Sequence, residues 1–171
     1  ELEVLDDTLI LLMSDNGASQ EGGPLGVIDT FKYFNGIPES LDEISSRMND
    51  IGGPKSQTNY PWGWAQVGNT PGKRYKQNTH GGGIRDPLIV NWPAGIHDAG
   101  GIRTQFHHVT DITPTLLEIV GVHPPELLNG VAQMPVHGVS MLYALDDTAA
   151  PSTRTSQYFE MFGNRAIYHE G

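Results

Sequence analysis

Five apolar residues in succession, Leu9 to Met13, run directly into Ser14-Asp15-Asn16-Gly17. A short unbroken apolar run bounded by polar turn residues is the pattern of a fully buried strand, expected here over residues 8–13. Further strands and helices alternate along the chain, which points to an α/β sheet. In such sheets ligands gather at the carboxyl ends of the strands. Asp15 and Asn16 stand at that edge. A carboxylate and an amide carbonyl are hard oxygen donors, suited to Ca²⁺ or Mg²⁺. Gly17 lets the backbone turn sharply, so that both side chains aim at one ion. Asp-Asn-Gly is also a common turn, and on these three residues alone the turn is the stronger reading.

The rest of the chain supplies the layers. Leu88-Ile89-Val90 reads as a second buried strand and Phe106–Val109 as a short third one. Ser40-Leu41-Asp42-Glu43 has the form of a capping box. Leu41, Ile44, Met48 and Ile51 then share one helical face until Gly52-Gly53-Pro54 stops the helix. DITPTLLEIVGV, residues 111–122, reads as a helix capped by Asp111 or Thr113, with Pro114 in its first turn and Gly121 at its end. Leu116, Leu117 and Val120 are its expected core face. HGVSMLYAL leads into a last short helix. Residues 17–38 and 54–83 are expected as loops, the second rich in aromatic residues and without a clear period. Asp146 to Ser156 reads as a linker, and Gln157–Phe162 with Arg165–Tyr168 as a hairpin about Gly163-Asn164.

Charge and composition exclude several classes. With 10 basic and 20 acidic residues the formal charge is −10, unsuited to a nucleic-acid backbone. No apolar run approaches the roughly 18 residues of a membrane span. The absence of cysteine rules out a disulfide framework and a thiolate metal site. The opening segment, Glu1 to Asp7, is acidic where a signal peptide is basic, so none is visible. It lacks Met and starts in mid-pattern, and the chain is expected to be a piece of something longer.

A second constellation lies at 74–96. Lys76 precedes the triple glycine Gly81-Gly82-Gly83 by five residues, with Arg85 just beyond. A lysine beside glycine-rich backbone makes an oxyanion clamp from a point charge and exposed N–H groups. The plain alternative is a solvated lysine before a flexible loop.

Together these stretches resemble one family, the sulfatases of the arylsulfatase A type. LDDTLILLMSDNG is similar to their metal-binding strand end. YPWGWAQVGNTPGKRYKQNTHGGGIRDPLIVNWPAGI resembles their sulfate-binding lysine loop and the strand after it. HHVTDITPTLLEIVGV, NGVAQMPVHGVSMLYAL and EMFGNRAIYHEG are similar to the segments that follow, in the same order.

The resemblance implies an alkaline-phosphatase-like α/β/α sandwich, here partial. Residues 1–146 would form the C-terminal part of the catalytic domain. Residues 147–171 would form a linker and the start of a small antiparallel-sheet subdomain. It implies sulfate-ester hydrolysis, with Asp15 and Asn16 as two ligands of an active-site Ca²⁺ (or Mg²⁺) and Lys76 on the sulfate oxygens. His80 is a candidate for the leaving group, and Trp62 and Trp64 are candidates for the cleft wall. For these three, ordinary loop roles are the alternative. The expected substrate is a small-molecule or sugar sulfate ester. A periplasmic or secreted home is compatible with the family, and the compartment is left open.

The chain also departs from the family. The family nucleophile is a formylglycine made from Cys or Ser in a C/S-x-P/A-x-R motif upstream of the metal strand. Here Pro151-Ser152-Thr153-Arg154 has the wrong spacing and follows that strand. The nucleophile and the remaining metal ligands are therefore expected from an N-terminal half acting as partner, and the isolated chain is expected to be inactive. Gly81 stands where the family commonly has an acid, and Asp86 is an unusual charge before Pro87. A phosphodiesterase or phosphonate hydrolase of the same superfamily, and a non-catalytic scaffold module, are the competing functions.

Overall fold

The computed structural model describes residues 3–171; Glu1 and Leu2, the start of the acidic opening segment, lie outside them. It is a mixed α/β structure of short elements in two compact units. One unit comprises the residues up to Leu12, Ile89–Tyr158 and Ile167–Gly171; the other comprises Met13–Leu88 and Phe159–Ala166. Among the described residues no helix is long and apolar enough to cross a membrane.

The first unit is built on β1 (Ile10–Met13) paired with β2 (Leu88–Asn91). Helices α5 (Ile112–Ile119) and α6 (Leu142–Asp146) cover one face of this pair. Leu9, Leu11 and Val90 meet Ile112, Thr115, Leu116, Ile119, Met141 and Leu145 there. Successive side chains in a strand point to opposite faces. The alternate residues, Ile10 and Leu12, are therefore 43% and 62% exposed. The strand expected to be buried on both sides is covered on one.

The knot of this unit is Asp111, which is fully buried. Its carboxylate accepts hydrogen bonds from the backbone N–H of His108 (2.9 Å) and Val139 (2.8 Å) and from Arg154 Nε (3.0 Å). Its carbonyl accepts from Thr115 Oγ1 at 2.6 Å, and that oxygen accepts from Met141 N–H at 2.8 Å. Asp111 thus joins three stretches of chain, residues 108–115, 139–141 and the segment of Arg154. It precedes α5 without capping it with its side chain; the preceding 3₁₀ turn, Val109–Asp111, is capped by His108 instead.

No strand forms over Phe106–Val109, because Phe106 N–H donates to Ser152 Oγ and His108 N–H to Asp111 rather than to a ladder. The side of α5 that faces the strands is Ile112, Thr115, Leu116 and Ile119, at helical spacing. Of the expected core face, Leu116 turns toward the strands while 38% exposed, Leu117 is half-buried, and Val120 is exposed and lies past the last helical turn. The segment read as a linker is tied down: Gln105 donates to the carbonyls of Thr148 and Ala150, and Thr153 N–H donates to the Tyr143 hydroxyl.

In the second unit α1 (Thr30–Phe34) arises where a loop was expected. Asp29 caps it by accepting from Phe31 N–H at 3.0 Å. Ser40 caps α2 (Leu41–Ser46) by accepting from Glu43 N–H at 3.1 Å. Glu43 itself pairs with Lys32 and does not return to the cap. This helix ends at Ser46 and passes into a 3₁₀ turn, Met48–Asp50, so it is shorter than its apolar period suggested. A second unforeseen helix, α3 (Trp62–Asn69), follows Pro61 and buries Ala65.

Two hairpins complete the chain. β3 (Leu127–Leu128) and β4 (Val131–Ala132) pair antiparallel about Asn129-Gly130, both at positive φ. β5 (Ser156–Met161) and β6 (Asn164–His169) pair about Phe162-Gly163, one residue earlier than the turn expected.

Burial alone would raise the Asp111 pKa. The Arg154 hydrogen bond, with those from Val139 and His108, outweighs it and holds this carboxyl below the usual carboxylate range. Removing the cation leaves a buried unpaired charge, so Arg154→Met is expected to cost about 3–5 kcal/mol in urea unfolding. Burial also lowers the pKa of His107 and His108, which favours their neutral forms in the folded state. The unfolded chain then takes up protons first as pH falls below about 6.5. Stability is expected to decline from there, and to decline further below about pH 4 as Asp111 is protonated. A pH series of urea midpoints that stays flat between pH 7 and 4 would contradict this.

Candidate functional site

A cleft of about 590 Å³ lies within the second unit, and the residues that follow Met13 in sequence form part of it. Ser14, Asn16, Gly17 and Ala18 form one wall; Tyr60, Asn69, Gly81, Gly82, Arg85 and Asp86 are among the residues opposite. Asp15 is exposed and is not among the residues lining the cleft, whereas Asn16 lines it and is half-buried. Gly17 is needed for close approach and not for a left-handed turn. A Cβ there would lie 3.3 Å from both Asp86 Oδ1 and the Gly82 carbonyl. Partial burial, and then the charge of Asp15, push the Asp86 carboxyl up from the usual carboxylate range.

The lysine loop is fixed by backbone geometry. Asn69, the last residue of α3, donates to the carbonyls of Arg74 (3.0 Å) and Gly82 (2.8 Å). Gln66, one turn earlier, accepts from Arg74 N–H at 2.9 Å and donates to the Gly72 carbonyl at 3.1 Å. The short helix α4 (Gly81–Ile84) packs directly beneath this turn. A Cβ on Gly82 would lie 2.0 Å from the Arg74 carbonyl, and one on Gly83 2.0 Å from that of Asn78. No side chain fits at either position.

Lys76 comes out of this turn between two residues in the left-handed region, Arg74 (φ 69°) and Gln77 (φ 72°). Its N–H donates to the Ala18 carbonyl at 3.0 Å, which ties the lysine two residues beyond Asn16. Its ammonium is 3.0 Å from Glu21 Oε2. Ser19 Oγ also donates to that oxygen (3.0 Å), and Gln77 Nε2 donates to Glu21 Oε1 (3.3 Å). Glu21 was not a candidate in the sequence, since nothing links it to a residue 55 positions away.

The other candidates lie differently. His80 is exposed and stands at the start of α4 without a side-chain cap hydrogen bond. Trp62 and Trp64, in the first turn of α3, are 43% and 65% exposed and are not among the residues lining the cleft. Tyr60 is the aromatic residue that lines it. Among the described residues no cluster of three or more His, Cys, Asp or Glu has the arrangement of a metal site.

These features define a mixed α/β protein with a polar strand-end cleft and a glycine-packed lysine loop beside it. The sulfatase family model matches residues 1–122. The chain is 30% identical to an arylsulfatase of Klebsiella aerogenes over 79% of its own length and 27% of that protein. It is 32% identical to an uncharacterised sulfatase of Schizosaccharomyces pombe over 95% of its own length and 28% of that protein. The chain belongs to the sulfatase family, and it spans less than a third of the length of the curated relatives it matches.

The glycine geometry separates two neighbouring positions. Gly82→Ala forces Arg74 and Lys73 away and is expected to destabilise the second unit by roughly 1–3 kcal/mol, the usual cost of overpacking. A Cβ at Gly81 meets only Arg85 Cδ, at an ordinary 3.9 Å. Gly81→Glu, the acid common in the family, is therefore expected to be accepted within about 0.5 kcal/mol. Thermal melts of the two variants check both statements; equal losses would contradict the packing argument.

Proposed function

We propose that this chain is the C-terminal third of an arylsulfatase-type sulfuric ester hydrolase, built as part of an alkaline-phosphatase-like α/β/α sandwich. The observation that carries the reading is the bond from Lys76 N–H to the Ala18 carbonyl, within a chain of the sulfatase family. It joins the lysine loop to the segment that follows Asp15-Asn16, the two stretches sulfate chemistry requires together.

In this reading Lys76 takes the sulfate oxygens and stabilises the charge that develops on them, the electrostatic contribution that usually dominates such reactions. Asp15 and Asn16 would hold Ca²⁺ (or Mg²⁺). The donors are hard oxygens of the right kind for such an ion. Two residues cannot complete a shell of about six to eight oxygens, so further ligands come from elsewhere in the protein. The bound ion would polarise the sulfate and activate the nucleophile, a formylglycine supplied by an N-terminal part. We assign the leaving-group contact to the exposed imidazole of His80, and keep Trp62 and Trp64, which lie outside the cleft lining, as candidates for a substrate's aryl or sugar ring.

Hydrolysis of 4-nitrophenyl sulfate by the protein at its full expressed length tests this. Lys76→Ala is expected to lower kcat by about 10²–10³, the cost of one oxyanion donor. Hydrolysis of a phosphodiester or phosphonate with no sulfate turnover would assign the site to that chemistry instead. Absence of all three activities would favour the scaffold role. For the 171-residue chain alone, calorimetry is expected to find Ca²⁺ binding weaker than micromolar; sub-micromolar affinity would contradict the incomplete shell.

A further inference from the structure

The carboxylate on Lys76 is not an incidental surface partner. Glu21 is held from three directions, by Lys76 Nζ and Ser19 Oγ on Oε2 and by Gln77 Nε2 on Oε1. Its own N–H returns to Ser19 Oγ at 3.2 Å, and Gln20 reaches across to the Gln77 side chain. Two segments far apart in sequence, 18–21 and 76–77, are therefore laced together by backbone and side-chain bonds. Only 15% of the Glu21 side chain is exposed, so the carboxylate cannot swing away from the ammonium as a surface glutamate does.

We propose that Glu21 is a specificity-determining residue, which sets the charge of the lysine subsite so that a dianion loses much of the advantage its second charge would otherwise give it over a monoanion. The inference rests on the reading that Lys76 receives the sulfate. A lysine alone favours anions in proportion to their charge. A fixed carboxylate 3.0 Å behind it cancels about half of that preference. Sulfate monoesters carry one negative charge and phosphate monoesters carry two at pH 8, while the two groups are nearly the same size. Charge is thus the property that can separate them.

Coulomb energy is linear in the ligand's charge, so a dianion is penalised twice as heavily as a monoanion. An anion seated on the far side of the ammonium lies about 6 Å from Glu21, where the repulsion in a water-like medium is about a threefold loss of affinity per unit charge. Removing the Glu21 charge should then tighten a monoanion about threefold and a dianion about tenfold. The second factor is the square of the first. A role limited to holding the loop would change both ligands by one common factor.

The test is calorimetric binding of phenyl sulfate and phenyl phosphate at pH 8 to the protein at its full expressed length. Glu21→Gln keeps the shape and removes the charge. It is expected to improve phenyl phosphate binding about tenfold and phenyl sulfate binding about threefold. Glu21→Asp retains the charge and is expected to retain the wild-type preference. Equal factors for the two ligands in Glu21→Gln, or no change in either, overturn the proposal. Lys76→Gln separates the two levels of the argument: it should weaken both anions. If it weakens neither, or if the wild-type protein binds neither anion, the lysine subsite itself is wrong and the role of Glu21 falls with it.

Discussion

The placement of the candidate site depends on how closely α4 approaches the turn before it. Gly82 sits directly under the carbonyls of Lys73 and Arg74, with its N–H donating to Lys73 at 2.8 Å. That contact sets the turn, and the turn sends Arg74 and Gln77 into the left-handed region on either side of Lys76. Non-glycine residues are held there at a cost of about 1–3 kcal/mol each, and only where their surroundings over-determine them. Gln66 and Asn69, both on α3, provide this for Arg74. A helix that was invisible as a period in the sequence thus supplies the amides that position the lysine. The lysine's own N–H then carries the arrangement to Ala18 and the Asp-Asn segment.

The first unit solves a different problem, that of a small apolar layer with limited cover. Leu9, Leu11 and Val90 are packed by α5 and α6, and Asp111 fastens those helices to the segment that carries Arg154. The opposite side of the strand pair, including Ile10, Leu12 and Ile89, is open. Under the proposed architecture this is the side that the second helical layer of an α/β/α sandwich covers. An apolar face of this kind on an isolated chain is an association hazard, and paired strands with uncovered apolar residues invite other chains.

The sequence was most legible where a local rule acts over a few residues. The Ser40 cap, the strand ending at Met13, the strand at Leu88–Val90 and the helix after Asp111 are all decided by neighbours within four positions. The Asn129-Gly130 hairpin obeys an equally local rule that was simply passed over. Legibility failed where distant partners decide. Trp62–Asn69 holds two glycines and no apolar stripe, and it forms because its side-chain amides bind the turn that follows. Phe106–Val109 has strand composition, yet its N–H groups find Ser152 and Asp111. At the site, Asn16 and Lys76 were singled out by residue type, whereas Glu21 and Asn69 acquire meaning only from what they touch.

Charge is the clearest case of that limit. A chain with a formal charge of −10 gives no sign of welcoming an anion, and at long range it repels one. Physiological salt screens that repulsion within about 8 Å, so the balance is struck by the groups nearest the ligand. Around Lys76 that balance is one ammonium against one immobilised carboxylate, with neutral amides and a hydroxyl beyond them. Such a pair is nearly neutral at a distance and polar at contact. It attracts an anion weakly on approach and discriminates by charge once the anion is seated. Selectivity of this kind is set by the fixed position of Glu21 and not by the strength of the clamp, which is why the lacing of residues 18–21 to 76–77 matters more than the lysine alone.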